Sequence, residues 1–140
     1  MIDIGMHLKS DEMIDFLELY DLVVQYEFER LHEGDSDSYT VESETLSLDL
    51  QFDADQRCTT IFIHDPQAAL AQGLVAFPNL RTPAEVEAYA RSNAWTLIRG
   101  PFWLRCDGPE RCFHYEFDQE NELKMVTIMA SDVAPQSRLT

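Results

Sequence analysis

Two stretches of this chain follow one pattern. LDLQFDADQRCTTIFI begins at Leu48 and FHYEFDQENELKMVTI begins at Phe113. Each is an alternating segment ending in Phe-Asp, then a polar turn, then an apolar segment containing Thr. Alternation with period two marks a strand with one buried face and one wet face. Two such strands across a short polar turn make a β-hairpin. In the first, Leu46, Leu48, Leu50 and Phe52 alternate with Ser47, Asp49 and Gln51. In the second, Phe113, Tyr115 and Phe117 alternate with Cys112, His114 and Glu116.

Around these hairpins the pattern repeats. Ser10 is placed to cap a helix whose first turn holds Asp11 and Glu12, followed by Met13, Ile14, Phe16, Leu17 and Tyr20 as an apolar side. Thr82-Pro83-Ala84-Glu85 is a capping box with proline at the first helical position. Leu22 to Phe28 reads as a strand, as do AWTLI and FWLRC on either side of Gly100-Pro101. Both halves therefore run helix, strands, hairpin. From cap to turn Phe takes 42 residues in the first half, Ser10 to Phe52, and 35 in the second, Thr82 to Phe117. The extra length falls in an acidic stretch. These features predict one domain over 1–140 with pseudo-repeat halves at about 6–66 and 80–131. The fold class is α+β: an antiparallel sheet of hairpins, two helices on one face, the other face open, and an internal helix-plus-hairpin duplication.

Charge narrows the partners. Ten Lys and Arg stand against 26 Asp and Glu, a net charge of −16. Such a field repels nucleic acid and anionic membranes and draws basic proteins from a distance. From Glu33 to Gln56 there are eight carboxylates and no Lys or Arg. Residues 33–45 read as a mobile acidic loop, a common place for function. Its Glu33, Asp35, Asp37, Glu42 and Glu44 are the expected partner-binding carboxylates, with Tyr39 as the aromatic anchor among them. The N-terminus shows no basic leader, and no stretch has the roughly 18 apolar residues of a membrane helix. An odd count of three cysteines is a poor disulfide framework. Together these predict a cytoplasmic protein.

Metal and catalytic motifs fail on inspection. A calcium loop needs an oxygen at the third candidate position; after Asp35 that position holds Tyr39, and after Asp53 it holds Arg57. Cys106, Cys112 and His114 follow C-x5-C-x-H, wider than usual zinc spacing. His7, His32, His64 and His114 lie in no recognisable catalytic frame, and no glycine-rich phosphate loop is present. The expectation is no metal, no cofactor and no enzyme. Two alternatives stand beside a binding role. One is a small-molecule-binding or enzymatic α+β domain with His64 or His114 at the mouth of a pocket. The other is a DNA mimic whose ordered carboxylate rows copy phosphates. Trp95, Phe102 and Trp103 are either core or an anchor patch for a partner.

LSLDLQFDADQRCTTIFIH and GPFWLRCDGPERCFHYEFDQENELKMVTIMAS, roughly a third of the chain, resemble segments of small acidic immunity proteins. Those proteins are encoded beside bacterial polymorphic toxins such as type VI secretion effectors. The resemblance implies a cytoplasmic protein that neutralises a cognate toxin by direct binding, and it brings no catalytic signature with it. The tandem helix-plus-sheet layout is also similar to that of proteinaceous enzyme inhibitors. The expected partner is a toxin with a basic surface. The expected state is a monomer, or a homodimer through a free sheet edge.

Overall fold

The computed structural model describes residues 2–7, 27–30, 39–43 and 47–134, with 27–30 and 39–43 followed through their backbone alone. Its strands are β1 (Glu27–Arg30), β2 (Tyr39–Ser43), β3 (Leu48–Phe52), β4 (Cys58–Ile63), β5 (Thr96–Gly100), β6 (Trp103–Asp107), β7 (Arg111–Phe117) and β8 (Leu123–Ala130). They form one antiparallel sheet in the order β1-β2-β3-β4-β8-β7-β6-β5. Each half of the chain makes a four-stranded meander, and the two meanders join where β4 pairs with β8. The fold is α+β, as the patterning predicts.

The two hairpin turns are built alike. Asp53 Oδ1 accepts the backbone N–H groups of Asp55 and Arg57 at 2.9 and 3.1 Å. Asp118 Oδ1 accepts those of Glu120 and Glu122 at 2.8 and 3.0 Å. Gln56 and Asn121 sit at the same place in each turn with φ of 62° and 61°. Both hairpins carry a register shift just before the Phe. Phe52 and Phe117 are 65 residues apart, and so are Phe62 and Thr127, which face each other across the β4–β8 junction. The pseudo-twofold relation between the halves therefore passes through that pair.

The core lies on one face of the sheet. A single register line crosses Leu50, Ile61, Ile128, Phe113, Cys106 and Leu97, and continues along the backbone to Val41 and Phe28. Leu48, Phe52, Ile63, Tyr115, Phe117 and Val126 flank it and are buried. Among the described residues two helices cover this face. The first, α1 (Pro66–Gln72), is short, with Asp65 as its cap and Gly73 in the left-handed conformation at its end. The second, α2 (Pro83–Ser92), starts at the predicted capping box: Thr82 Oγ1 accepts the Glu85 N–H at 3.2 Å. Ala69, Val86 and Ala90 pack into the same core as the strands, and Ile2, Leu74, Val75 and Phe77 complete it. The segment between the helices is tied down by Tyr115, whose hydroxyl donates to the Pro78 carbonyl at 2.7 Å.

Three expectations change. The reading of 33–45 as a mobile loop is corrected over Tyr39–Ser43, which is strand β2 between β1 and β3. Its Tyr39, Thr40 and Val41 favour a strand, and pairing on both sides carries it through Glu42 and Ser43. The helix α1 is not among the expected elements, although Asp65-Pro66 and Gly73 are ordinary start and stop signals. The strand read at Leu22–Phe28 appears as β1 from Glu27; residues 22–26, and the helix expected from Ser10, lie outside the described residues.

Candidate functional site

The second face of the sheet is not the plain wet face that alternation implies. A register line runs across it through Ile98, Arg105, His114, Thr127, Phe62 and Asp49, and continues along the backbone to Glu42 and Glu27. Its half from β4 to β5 is apolar and aromatic. Ile98, Arg105, Cys112 and Thr127 are buried there, while Phe62, Trp103, Met125 and Met129 are part-exposed. All of these but Ile98 and Cys112, together with His114 and Glu116, line a shallow concavity of about 350 Å³.

Three groups in it are held: Trp103, His114 and Arg105. The Trp103 indole lies over Gly100, leaving no space for a Cβ at that position. The same ring stacks on the His114 imidazole, centroids 4.8 Å apart and tilted 32°. Arg105 makes a bidentate pair with Asp107, Nε to Oδ1 at 2.7 Å and a terminal nitrogen to Oδ2 at 2.9 Å. This geometry fixes the guanidinium plane. Burial holds the His114 pKa below its ordinary value; Glu116 pulls it up and Arg105 pushes it further down.

Beside this face, the β5–β6 turn carries Phe102 at φ of 61°, with 57% of its surface exposed. A bulky residue in the left-handed region is strained, and strain of that kind clusters at functional sites. Proline at 101 followed by positive φ is the pattern of a turn that favours glycine at the second central place. Phe102 thus combines an unfavourable backbone with an unburied ring.

The aromatic trio divides. Trp95 belongs to the core side, stacked on Phe113 at 5.8 Å and edge-on to Tyr89 at 5.5 Å. Trp103 lines the second face, and Phe102 is exposed. Spacing alone could not separate them, because the two-residue turn at Pro101-Phe102 reverses the chain between them.

The expected partner-binding carboxylates fare unequally. Glu33, Asp35, Asp37 and Glu44 lie outside the described residues. Glu42 is in β2, in register with Asp49 and Glu27, on the line that crosses the second face. Tyr39 is in register with Phe52, a core residue of β3. Asp49 in turn holds His64, Nε2 to Oδ2 at 2.8 Å.

The cysteines form neither a disulfide nor a zinc set. Cys106 pairs in register with Phe113 and faces the core, its Sγ donating to the Val86 carbonyl at 3.8 Å. Cys112 pairs with Asp107 and lies on the opposite face. Burial pushes the thiols of Cys58 and Cys112 up to about 12 and that of Cys106 to about 11. A nucleophilic thiol needs the reverse. The Asp53 turn is already occupied by a cation, the Arg57 guanidinium at 3.3 Å.

Among the described residues no helix is long and apolar enough to cross a membrane. No family model matches the chain, and neither a curated protein nor a solved structure is found similar to it.

Proposed function

We propose that the protein is an immunity-type inhibitor that binds and neutralises a cognate bacterial toxin, and that the second face of the sheet is its binding surface. One observation carries the reading: an aromatic, apolar concavity shares a register line with Asp49, Glu42 and Glu27. Adjacent strands lie roughly 4.8 Å apart, and like charges in register across them repel one another. A basic partner relieves that repulsion, and its apolar side chains find the concavity. Long-range attraction by the −16 charge speeds encounter, and desolvated aromatic contacts slow release. Trp103, Phe62 and Met125 are then the anchors, with Phe102 at the rim.

The DNA-mimic alternative draws less support. On one side of the acidic row, the neighbouring line of Glu29, Thr40 and Gln51 holds one carboxylate and makes no companion row.

The test is protection. The chain is co-expressed with the product of the adjacent gene in a heterologous bacterium. The expected result is growth that depends on the chain and is lost with Trp103→Ala and Met125→Asp together. Arrest whether or not the chain is present overturns the inhibitor reading. Protection that survives the double variant moves the interface off the second face.

A further inference from the structure

A second concavity lies elsewhere, between the end of β4, the starts of both helices and the β7–β8 turn, with a volume of about 510 Å³. It shares no residue with the lining of the second face. We infer that this cleft binds a small phosphorylated ligand, a phosphate monoester held by Arg81 and Lys124.

The argument starts from where the few cations are. Arg57, Arg99, Arg105 and Arg111 each pair with a carboxylate: Asp53 and Asp132, Glu87, Asp107 and Asp3 respectively. Arg91 lies in the last turn of α2, where the helix dipole favours a positive charge. Arg81 and Lys124 have neither arrangement. Among the described residues no carboxylate pairs with either. Both line the cleft. Arg81 directly precedes the cap of the ten-residue α2, so it sits at the positive end of the dipole, where a cation is disfavoured. Two unpaired cations and a helix N-terminus therefore converge on one concave surface, and a dianionic oxygen ligand satisfies all three. Arginine offers a planar fork to phosphate oxygens and lysine a point charge.

Of the two carboxylates of the cleft, that of Asp65 is engaged elsewhere and that of Glu122 is exposed. Asp65 Oδ1 accepts the Ala68 N–H at 3.2 Å and caps α1. The Glu122 carboxylate lies within 4.8 Å of those of Asp118 and Glu120 in an exposed cluster. His64 is paired with Asp49. Gln67 and Asn121 put two exposed amides on the wall, which suit the hydroxyl groups of a sugar or nucleoside. The inference stands apart from the inhibitor reading, since the overall charge repels any anion and only a local site can hold one.

Titration of the isotope-labelled protein with inorganic phosphate, adenosine 5′-monophosphate and adenosine tests it by NMR. The expected result is saturable movement of the Gln67 and Asn121 side-chain amide signals with both phosphates and none with adenosine. Each cation removed should weaken binding about tenfold, so Arg81→Gln with Lys124→Gln together weaken it about a hundredfold. Arg91→Gln, which removes a charge from the same helix outside the cleft, should leave it unchanged. The inference is overturned by the absence of saturable movement with either phosphate, by equal movement with adenosine, or by an Arg91→Gln effect as large as that of Arg81→Gln. All three altered side chains are exposed, so the fold tolerates the changes.

Discussion

At the scale of single residues, stability and the proposed binding role of the second face can be tested separately. Phe102 is strained and exposed, so glycine there removes the steric cost of positive φ. Phe102→Gly should raise stability by about 1 kcal/mol, read as a higher urea midpoint, while slowing growth protection if the ring touches the partner. A loss of stability would mean the ring packs more than its exposure indicates. His114 titrates in a way that can be followed. Its folded pKa is held below the ordinary value of 6.5 by burial, with Glu116 and Arg105 facing it. The unfolded chain then binds the proton more readily, so stability falls as pH drops through 6.5 and the loss levels off below the folded value. His114→Gln should remove this part of the pH dependence. Urea midpoints of the two proteins should converge above neutral pH and separate below it, with the variant less affected by acid. Parallel curves would mean that the imidazole is solvated.

At the scale of elements, the twin hairpins make a matched pair of experiments. Asp53 and Asp118 each accept two backbone N–H groups in turns of the same geometry. Removing either leaves those donors to water. Asp53→Ala and Asp118→Ala should each cost about 1 to 2 kcal/mol in thermal or urea unfolding. Asp53 carries an added partner in Arg57, which also reaches Asp132 at 2.6 Å. That ion pair is part-exposed and adds little. A cost several times larger at one turn than at the other would show that the two halves are not energetically equivalent. The short helix α1 depends on its ends: seven residues cannot hold a helix by propensity alone, and Asp65, Gly73 and the burial of Ala69 supply what is missing.

At the scale of the whole molecule, charge dominates. With 26 acidic residues against ten basic ones, the excess negative charge of −16 repels itself within one fold, which destabilises the compact state. At about 0.1 M salt the screening length is about 10 Å, comparable to the spacing of surface charges. Added sodium chloride should therefore raise the melting temperature of the free protein and lower the association rate with a basic partner. The first is read by calorimetry and the second by stopped flow. A melting temperature that falls with salt would indicate that ion pairs such as Arg111 with Asp3 outweigh the net repulsion.

The sequence by itself determined what local physics controls. Alternation at Leu48–Phe52 and Phe113–Phe117 named both hairpins and their buried face, because period two leaves no other choice of register. The capping box at Thr82 marked the start of α2, and the 65-residue recurrence of Phe-Asp marked the two halves. Only tertiary structure decided the rest. That Tyr39–Ser43 is a strand depends on β1 and β3 lying on either side of it. That β4 meets β8, so that Phe62 faces Thr127, depends on how the two meanders dock. The Trp103 concavity and the Arg81–Lys124 cleft are each assembled from segments far apart in the chain. Spacing along the sequence holds no record of such contacts, because they form only when burial of a shared core pulls the halves together.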